Sequence, residues 1–443
     1  MIELPATFAA GIRSRLGEKE GAALLAALDG EPVTSVRLNP AKRATLMPDA
    51  KRVEWAPEGF ILPQRPVFTL DPQWHQGRFY VQETASMFVG RVAAMAAEEL
   101  GQEALKVLDL CAAPGGKTTA VADVLPQGSL MIANEYVPKR ADILQENLMK
   151  WGTPNTIVTR GETKTLCQSA EGWMDMVIAD VPCSGEGMMR KEEEARRQWT
   201  PGLVESCATL QREIVANGAT ALRQGGMMIY STCTFNAEEN ERNVEWICAN
   251  LGFEVVDISA ITPSQARSHG AGIHFYPHLS GSEGLYVCLL RKTGAERRFR
   301  LPKVKSKEVN LPEWFAGPEQ ALTERNGVIY ALSREYLPIA EAVKRQTMSA
   351  GTPVATPGKR SWEPTHELAM SRLLRREAFA TVEFDREEAL KYLSLQTGSL
   401  PPTFAKGHLL VMYHNEPLGW IKNLGSRYNN LYPRHLRIRI NIT

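Results

Sequence analysis

The sequence predicts an α/β protein: a parallel, doubly wound sheet with a small α+β region before it and a β-rich module after it. Three observations carry this reading. Strand and helix signals alternate from about residue 77 to 292, and strands separated by helices of roughly 10–15 residues build parallel sheets. A glycine-rich turn in VLDLCAAPGGKTT joins one strand to the next helix. The closing segment, HLLVMYHNEPLGWIKNLGSRYNNLYPRHLRIRI, alternates apolar and polar residues between Asn, Gly and Pro turns.

The elements follow in order. Residues 1 to about 60 hold two helical patterns and a short strand, TSVRLNP, that ends at Pro40. A connection rich in Pro, Trp and Phe leads to QETASMFVGRVAAMAAEEL, whose apolar positions recur at helical spacing. Then come the strand KVLDLCAA, a helix from Lys117, the strand SLMIANEY, a helix from Pro138 to Trp151 and the strand NTIVTR. The strand MDMVIADVPC, a helix from Leu203 to Arg223, the strand GGMMIYSTC and a helix from Glu238 follow. FEVVDI and GLYVCLLRK close the series with no helix between them, so the last strand is expected to run antiparallel. Residues 293–310 are basic and unperiodic and read as a linker. The division expected is therefore 1–76, 77–292, the linker 293–310, a mixed α/β domain over 311–395 and a β-module over 396–443.

Composition narrows the function. The chain has 443 residues, 44% of them hydrophobic, and no apolar run approaches the roughly 20 residues a membrane span needs. The first residues lack a basic segment followed by an apolar block. Seven cysteines at irregular spacing do not make a disulfide framework, and a reducing cytoplasm suits them. None has zinc-ligand spacing, so no metal is expected. The net charge of +1 conceals an asymmetry, with 25 basic against 15 acidic residues from Arg291 to Thr443. A basic half is suited to a polyanion.

The turn offers a ligand site. Gly115 and Gly116 permit positive φ and let a ligand approach the backbone. The next strand ends in Asn134-Glu135, where an acid can accept both hydroxyls of a ribose. Neither GxGxxG nor GxxxxGK[ST] is present. A nucleoside is expected, without a choice between the common cofactors. Two further strands, MVIAD and MMIYS, are expected to be neighbours, roughly 5 Å apart. Each carries a cysteine just past its end, Cys183 and Cys233, with Asp180 alongside. Arg190 and Lys191 follow closely and would favour a thiolate. Cys207, Cys248 and Cys288 fall on apolar faces as core residues, and Cys167 falls in a loop. From spacing alone either Cys183 or Cys233 could attack a substrate.

CAAPGGKT, DVPCSGEGMMRK and STCTFNAEENE resemble the signature motifs of the Nol-Nop-Sun RNA (cytosine-5) methyltransferases. SVRLNP and GRFYVQETASM resemble the family's N-terminal motifs, and LGWIKNLGSRYNNLYP is similar to the ending of the bacterial 16S rRNA (cytosine-C5) methyltransferase F group. The resemblance implies a class I (Rossmann-like) methyltransferase with a small N-terminal α+β region and a C-terminal β-rich PUA-like module. It implies S-adenosyl-L-methionine as cofactor, lined by Cys111, Ala112, Ala113, Pro114, Gly115, Gly116 and Lys117, with Glu135 on the ribose. Glu162 stands where the family usually has Asp near the adenine. Asp180 would touch both cofactor and target base. Cys233 would be the nucleophile and Cys183 would release the product.

Carbon 5 of cytosine is too weak a nucleophile to take a methyl group directly. A thiolate that adds to carbon 6 activates it, splitting one hard step into two. The target base must leave its stack. The final module, with six basic residues and one acidic from Lys406 to Thr443, interleaves Trp420, Tyr428 and Tyr432 with its cations. That pairing suits RNA, and the resemblance of the tail implies rRNA or the small ribosomal subunit as partner. A monomer is expected. The alternatives are a tRNA cytosine-5 methyltransferase of the same family and an assembly factor with vestigial catalysis.

Overall fold

The computed structural model describes residues 2–294, 302, 304, 311–317, 320–359 and 361–440. Most of the linker expected at 293–310 lies outside the described residues. The chain opens with α1 (Ala6–Leu16) and α2 (Glu18–Leu28). Phe8, Ile12, Leu24 and Leu28 of this pair pack on Met189, Trp199, Phe235 and Tyr276. The helices thus buttress two loops from far along the chain. An antiparallel sheet follows, built from β1 (Ser35–Leu38), β2 (Lys51–Val53) and β3 (Ala56–Ile61). After the short α3 (Pro72–His75), β4 (Phe79–Val81) joins it in the order β2-β3-β1-β4. The N-terminal unit therefore runs past the expected boundary at 76, because Val36 of β1 pairs with Val81.

The helix α4 (Phe88–Leu100) leads into the central sheet. Its parallel part alternates β5 (Lys106–Asp109), α5 (Gly116–Ala122), β6 (Leu130–Glu135), α6 (Pro138–Trp151), β7 (Thr156–Arg160), α7 (Thr163–Ser169) and β8 (Met174–Asp180). After α8 (Glu193–Gln198) and α9 (Pro201–Ala221), β9 (Leu222–Thr232) completes it. The later elements are α10 (Glu241–Leu251), β10 (Phe253–Val256), β11 (Ala266–His269), β12 (Gly272–Phe275), α11 (Pro277–Ser280) and β13 (Leu285–Lys292). The hairpin of β11 and β12 had no counterpart in the sequence pattern. As expected, β13 runs antiparallel to β9.

Helix limits follow local chemistry. Pro138 starts α6 and Gly152, left-handed at φ 80°, ends it. Thr200 accepts from Leu203 N–H, so α9 begins at Pro201, two residues before its expected start. The strands read as continuous apolar runs because both faces are covered. In β8, Val177 and Ala179 face the core under α7, α9 and α10, while Met176 and Ile178 face α4. The chain winds outward from β5 through β6 and β7, then crosses to β8 and β9 on the other side. The carboxyl ends beside β5 form the switch point where such sheets hold ligands.

The downstream half departs from the expected division. It contains β14 (Gln320–Arg325), β15 (Val328–Ser333), α12 (Leu337–Ala342), β16 (Thr347–Ala350), β17 (Thr352–Pro357), β18 (Trp362–Pro364) and α13 (His366–Met370). Strand β16 leaves its neighbours and pairs antiparallel with β7, extending the central sheet. The last unit is β19 (Thr381–Glu383), α14 (Arg386–Leu393), β20 (Gly407–Tyr413), β21 (Glu416–Asn423) and β22 (Tyr428–Asn430). The boundary expected at 396 cuts this unit, since Val382, Leu390 and Leu393 share a core with Leu409, Val411 and Ile421. The aromatic expectation also fails. Trp420 is 1% exposed, Tyr428 and Tyr432 are buried, and the Trp420 ring donates to the Thr365 carbonyl at 2.7 Å. These rings are core; Lys406, Arg427, Arg434, Arg437 and Arg439 remain on the surface. Among the described residues no helix is long and apolar enough to cross a membrane.

Candidate active site

The turn after β5 places residues 110–117 against the carboxyl ends of β6 and β8. Leu110 N–H donates to Ile178 O at 3.0 Å and Ala112 N–H to Asn134 O at 2.8 Å. The outer side of the turn is held by Arg140, which donates to Ala113 O at 2.9 Å, and by Tyr80 and Asn147, which both donate to Pro114 O. Gly115 has φ 108°, a conformation L side chains rarely adopt, and a Cβ there would come within 3.3 Å of Leu144. Cys111 is half-buried, and burial raises its thiol well above the usual range, so it is no nucleophile at neutral pH.

The donor set fits a nucleoside cofactor. Glu135 is 3% exposed. Its Oε1 accepts from Val137 N–H at 2.9 Å, while Oε2 is buried with no hydrogen-bond partner, facing only Arg140 at 3.4 Å. A buried acceptor without a donor is costly, and a hydroxyl on a bound ligand would supply one. Glu162 is different. It stands at the N-cap position of α7 with an exposed side chain that makes no capping hydrogen bond, and its carbonyl accepts from Gln346 at 3.1 Å.

The catalytic candidates converge at the ends of β8 and β9. The ladder pairs Asp180 with Ser231. Asp180 Oδ1 accepts from Ser231 Oγ at 2.8 Å, and Oδ2 accepts from Lys117 Nζ at 2.8 Å. Burial opposes the Lys117 ammonium, but the charge of Asp180 outweighs it and holds its pKa above the ordinary lysine value, with Cys233 and Glu83 adding to the effect. One turn beyond, Cys183 Sγ and Cys233 Sγ are 3.1 Å apart, both half-buried. The hydrogen bond to Cys233, together with burial, pushes the Cys183 thiol well above the usual range. Either sulfur can donate to the other across this contact.

Two expectations about charge and cysteine placement are corrected. Arg190 does not serve the thiols: its Nε and Nη2 bind Glu283 at 2.7 and 2.8 Å, and Lys191 sits 3.4 Å from the same carboxylate. Cys167 is not in a loop but buried in α7. Sequence reasoning also missed Ser231, the role of Lys117 as the partner of Asp180, and two acids inside the quoted motifs, Glu186 and Glu239. All are polar residues in segments that close a buried site, and their position beside the cysteines was the available signal. Among the described residues no group of three or more His, Cys, Asp or Glu could hold a metal ion.

A doubly wound sheet with this turn, this acid at the end of β6 and this thiol pair define a Rossmann-like, S-adenosylmethionine-dependent methyltransferase. Comparison with known proteins makes the assignment specific. Residues 97–291 match the family described as 16S rRNA methyltransferase RsmB/F. Residues 4–84 match the N-terminal domain of 16S rRNA methyltransferase RsmF, and 379–438 the methyltransferase RsmF PUA domain. The chain is 30% identical over 412 residues to the ribosomal RNA small subunit methyltransferase F of Cronobacter sakazakii, covering 87% of this chain and 84% of that one. It is 29% identical over 409 residues to the protein of that name from Escherichia coli, with the same coverage. The fold matches that of NSun6 from Pyrococcus horikoshii with SFG, at a TM-score of 0.56 and 20% identity over 66% of this chain and 99% of that one. The chain belongs to the RsmF group of the Nol-Nop-Sun methyltransferase family.

Proposed function

We propose that this protein methylates carbon 5 of a cytosine in 16S rRNA through a covalent bond between Cys233 and carbon 6 of the base. The observation that carries the reading is the thiol pair, 3.1 Å apart beside the Lys117–Asp180 ion pair. S-adenosylmethionine, held along Cys111–Lys117 and by Glu135, would supply an electrophilic methyl group. The adenine end is assigned to the neighbourhood of Glu162 on resemblance alone.

This chain's residues do the rest. Lys117 stays charged beside Asp180 and keeps that carboxylate in place. Addition of the Cys233 thiolate to carbon 6 raises electron density at carbon 5. Asp180, fixed by Lys117 and Ser231, would meet the N3–N4 edge of the base, accepting from the N4 amine, and pairing with N3 when the acid or the base carries the needed proton. Burial and the hydrogen bond to Cys233 push the Cys183 thiol up, which suits a residue serving release; the choice of Cys233 as attacker rests on the family resemblance. The basic surface of the last unit supports an RNA partner, and the names of the relatives favour rRNA over tRNA. Bisulfite sequencing of 16S rRNA and tRNA from cells with and without the gene tests the reading. One cytosine in 16S rRNA should lose its methyl mark; loss only in tRNA would overturn the substrate.

A further inference from the structure

Two buried carboxylates cross between the cysteine loops in opposite directions. Glu186 lies on the Cys183 loop and is 1% exposed. Its Oε2 accepts from the N–H groups of Phe235 and Asn236 at 2.6 and 3.1 Å, and its Oε1 from Asn236 Nδ2 at 3.0 Å and Trp199 Nε1 at 3.1 Å. Three of those four donors belong to the segment after Cys233. Glu239 lies beyond Cys233 and is fully buried. Its Oε2 accepts from Ser184 N–H at 3.0 Å and Gln211 Nε2 at 2.7 Å, and its Oε1 from Ser184 Oγ at 2.5 Å and Asn236 Nδ2 at 2.8 Å. Ser184 is the neighbour of Cys183. A backbone tie completes the arrangement, with Gly187 N–H donating to Cys233 O at 2.7 Å. A Cβ at Gly187 would lie 2.7 Å from that oxygen.

Burying two carboxylates is expensive unless every lone pair is used. Here each acid takes four donors, which leaves neither with an oxygen for proton transfer to a substrate. What they do control is where the two loops, and so the two sulfurs, stand. We propose that Glu186 and Glu239 are positioning residues, a reciprocal clamp that keeps the Cys183 and Cys233 sulfurs together so that release of the RNA adduct keeps pace with its formation. The proposal rests on the two-cysteine reading above. In release, the C5–H electron pair restores the C5=C6 bond as its proton passes to a base, and the Cys233 Sγ–C6 bond breaks with its pair returning to sulfur. The proton leaves carbon 5 and Cys233 leaves carbon 6, so the step needs the two sulfurs held over adjacent carbons of one base, and misplacement by about 1 Å can cost on the order of 100-fold.

The test uses the full chain with Glu186→Gln and Glu239→Gln, and phenylarsine oxide as probe of the thiol pair. The arsenical condenses with two adjacent thiols, losing one water, and survives a monothiol wash only when both sulfurs bind. Intact mass should show one arsenical per wild-type chain and none on Cys183→Ser. Both Gln variants should keep a folded circular dichroism spectrum yet retain the arsenical about tenfold less. With 16S rRNA their kcat should fall at least about tenfold at unchanged KM for S-adenosylmethionine, and RNA-bound protein should accumulate on denaturing gels. Ser184→Ala, which removes one donor to Glu239, applies the same test should either Gln variant not fold. Folded variants that hold the arsenical like wild type, or that lose kcat without accumulating adduct while Cys183→Ala does accumulate it, overturn the clamp. Loss of arsenical retention with no RNA adduct in any variant, Cys183→Ala included, would leave the clamp standing and remove the covalent mechanism instead.

Discussion

Cys183 Sγ lies 3.1 Å from Cys233 Sγ, at the ends of adjacent parallel strands. The family resemblance gives the two sulfurs different roles, Cys233 as attacker and Cys183 in release. Replacing each in turn should therefore give opposite phenotypes. Cys233→Ala is expected to abolish methylation and form no adduct. Cys183→Ala is expected to accumulate protein covalently bound to labelled RNA on denaturing gels. The reverse pattern would exchange the two roles.

Asp180 is held from both sides, by Lys117 and Ser231. Removing its charge in Asp180→Asn should lower kcat by roughly 10²-fold or more, as losing a positioned polar group at a reacting centre does. Ser231→Ala, which removes one orienting bond, should cost less. Steady-state rates on 16S rRNA fragments check the order; equal losses would mean that orientation matters as much as the carboxylate.

Glu135 presents one buried oxygen without a donor. Glu135→Gln replaces that acceptor pair with an amide, and binding of S-adenosylhomocysteine by calorimetry should weaken by roughly tenfold, or about 1.4 kcal/mol. Glu162→Gln, on an exposed side chain, should change affinity far less. A large drop in affinity at Glu162 would mean that its own carboxylate, and not only its neighbourhood, holds the adenine.

Where the last unit meets the N-terminal region, His75 hydrogen-bonds Tyr432 at 3.0 Å, and His366 is buried with neither ring nitrogen paired. Burial depresses both, His75 to about 4 and His366 to about 3, from 6.5. Because the folded values lie below the unfolded one, stability is complete above pH 6.5 and declines as pH falls toward 4, by up to about 1.4 kcal/mol per pH unit for each histidine. The melting temperature should drop across that window, and His366→Phe should flatten the drop. An unchanged slope in that variant would assign the acid sensitivity elsewhere.

With its aromatic rings buried, the last unit has cations as its main means of gripping RNA. Arg427, Arg434, Arg437 and Arg439 are exposed. Changing all four to Ala should weaken binding to rRNA. The slope of log K against log salt should become shallower by roughly 0.7–0.9 for each phosphate that is no longer neutralised. An unaltered slope would place the RNA on another face.

The alternating strands and helices were legible because covered parallel strands are continuous apolar runs, and β8 and β9 stood out by that signal alone. The pairing of Cys183 with Cys233 followed from strand adjacency. Three things were not legible. Arg190 looked free because its partner, Glu283, is 93 residues away. Trp420 looked like a surface ring because period-2 alternation cannot say which face is covered when a second layer, here α13 and its neighbours, packs on it. β16 looked like part of a separate domain because four residues carry no sign of which edge they will join. In each case a long-range partner decided the outcome, and local pattern is blind to such partners.

The pairing of β16 with β7 ties Ser349 to Val158, nearly two hundred residues earlier in synthesis. A nascent chain that has reached the end of β13 already owns every strand that bears a catalytic candidate, yet its sheet still shows an open β7 edge to the crowded surroundings of the exit tunnel. Pairings closed over such spans form late and leave partly finished sheets open to aggregation. The strand that seals this edge arrives together with the basic half of the chain, so a truncated product would remain an unfinished, adhesive sheet. Exchanging tails between relatives would likewise transplant part of the enzyme's own sheet, and a junction placed just after β16 would also part β15 from β17 in a second sheet.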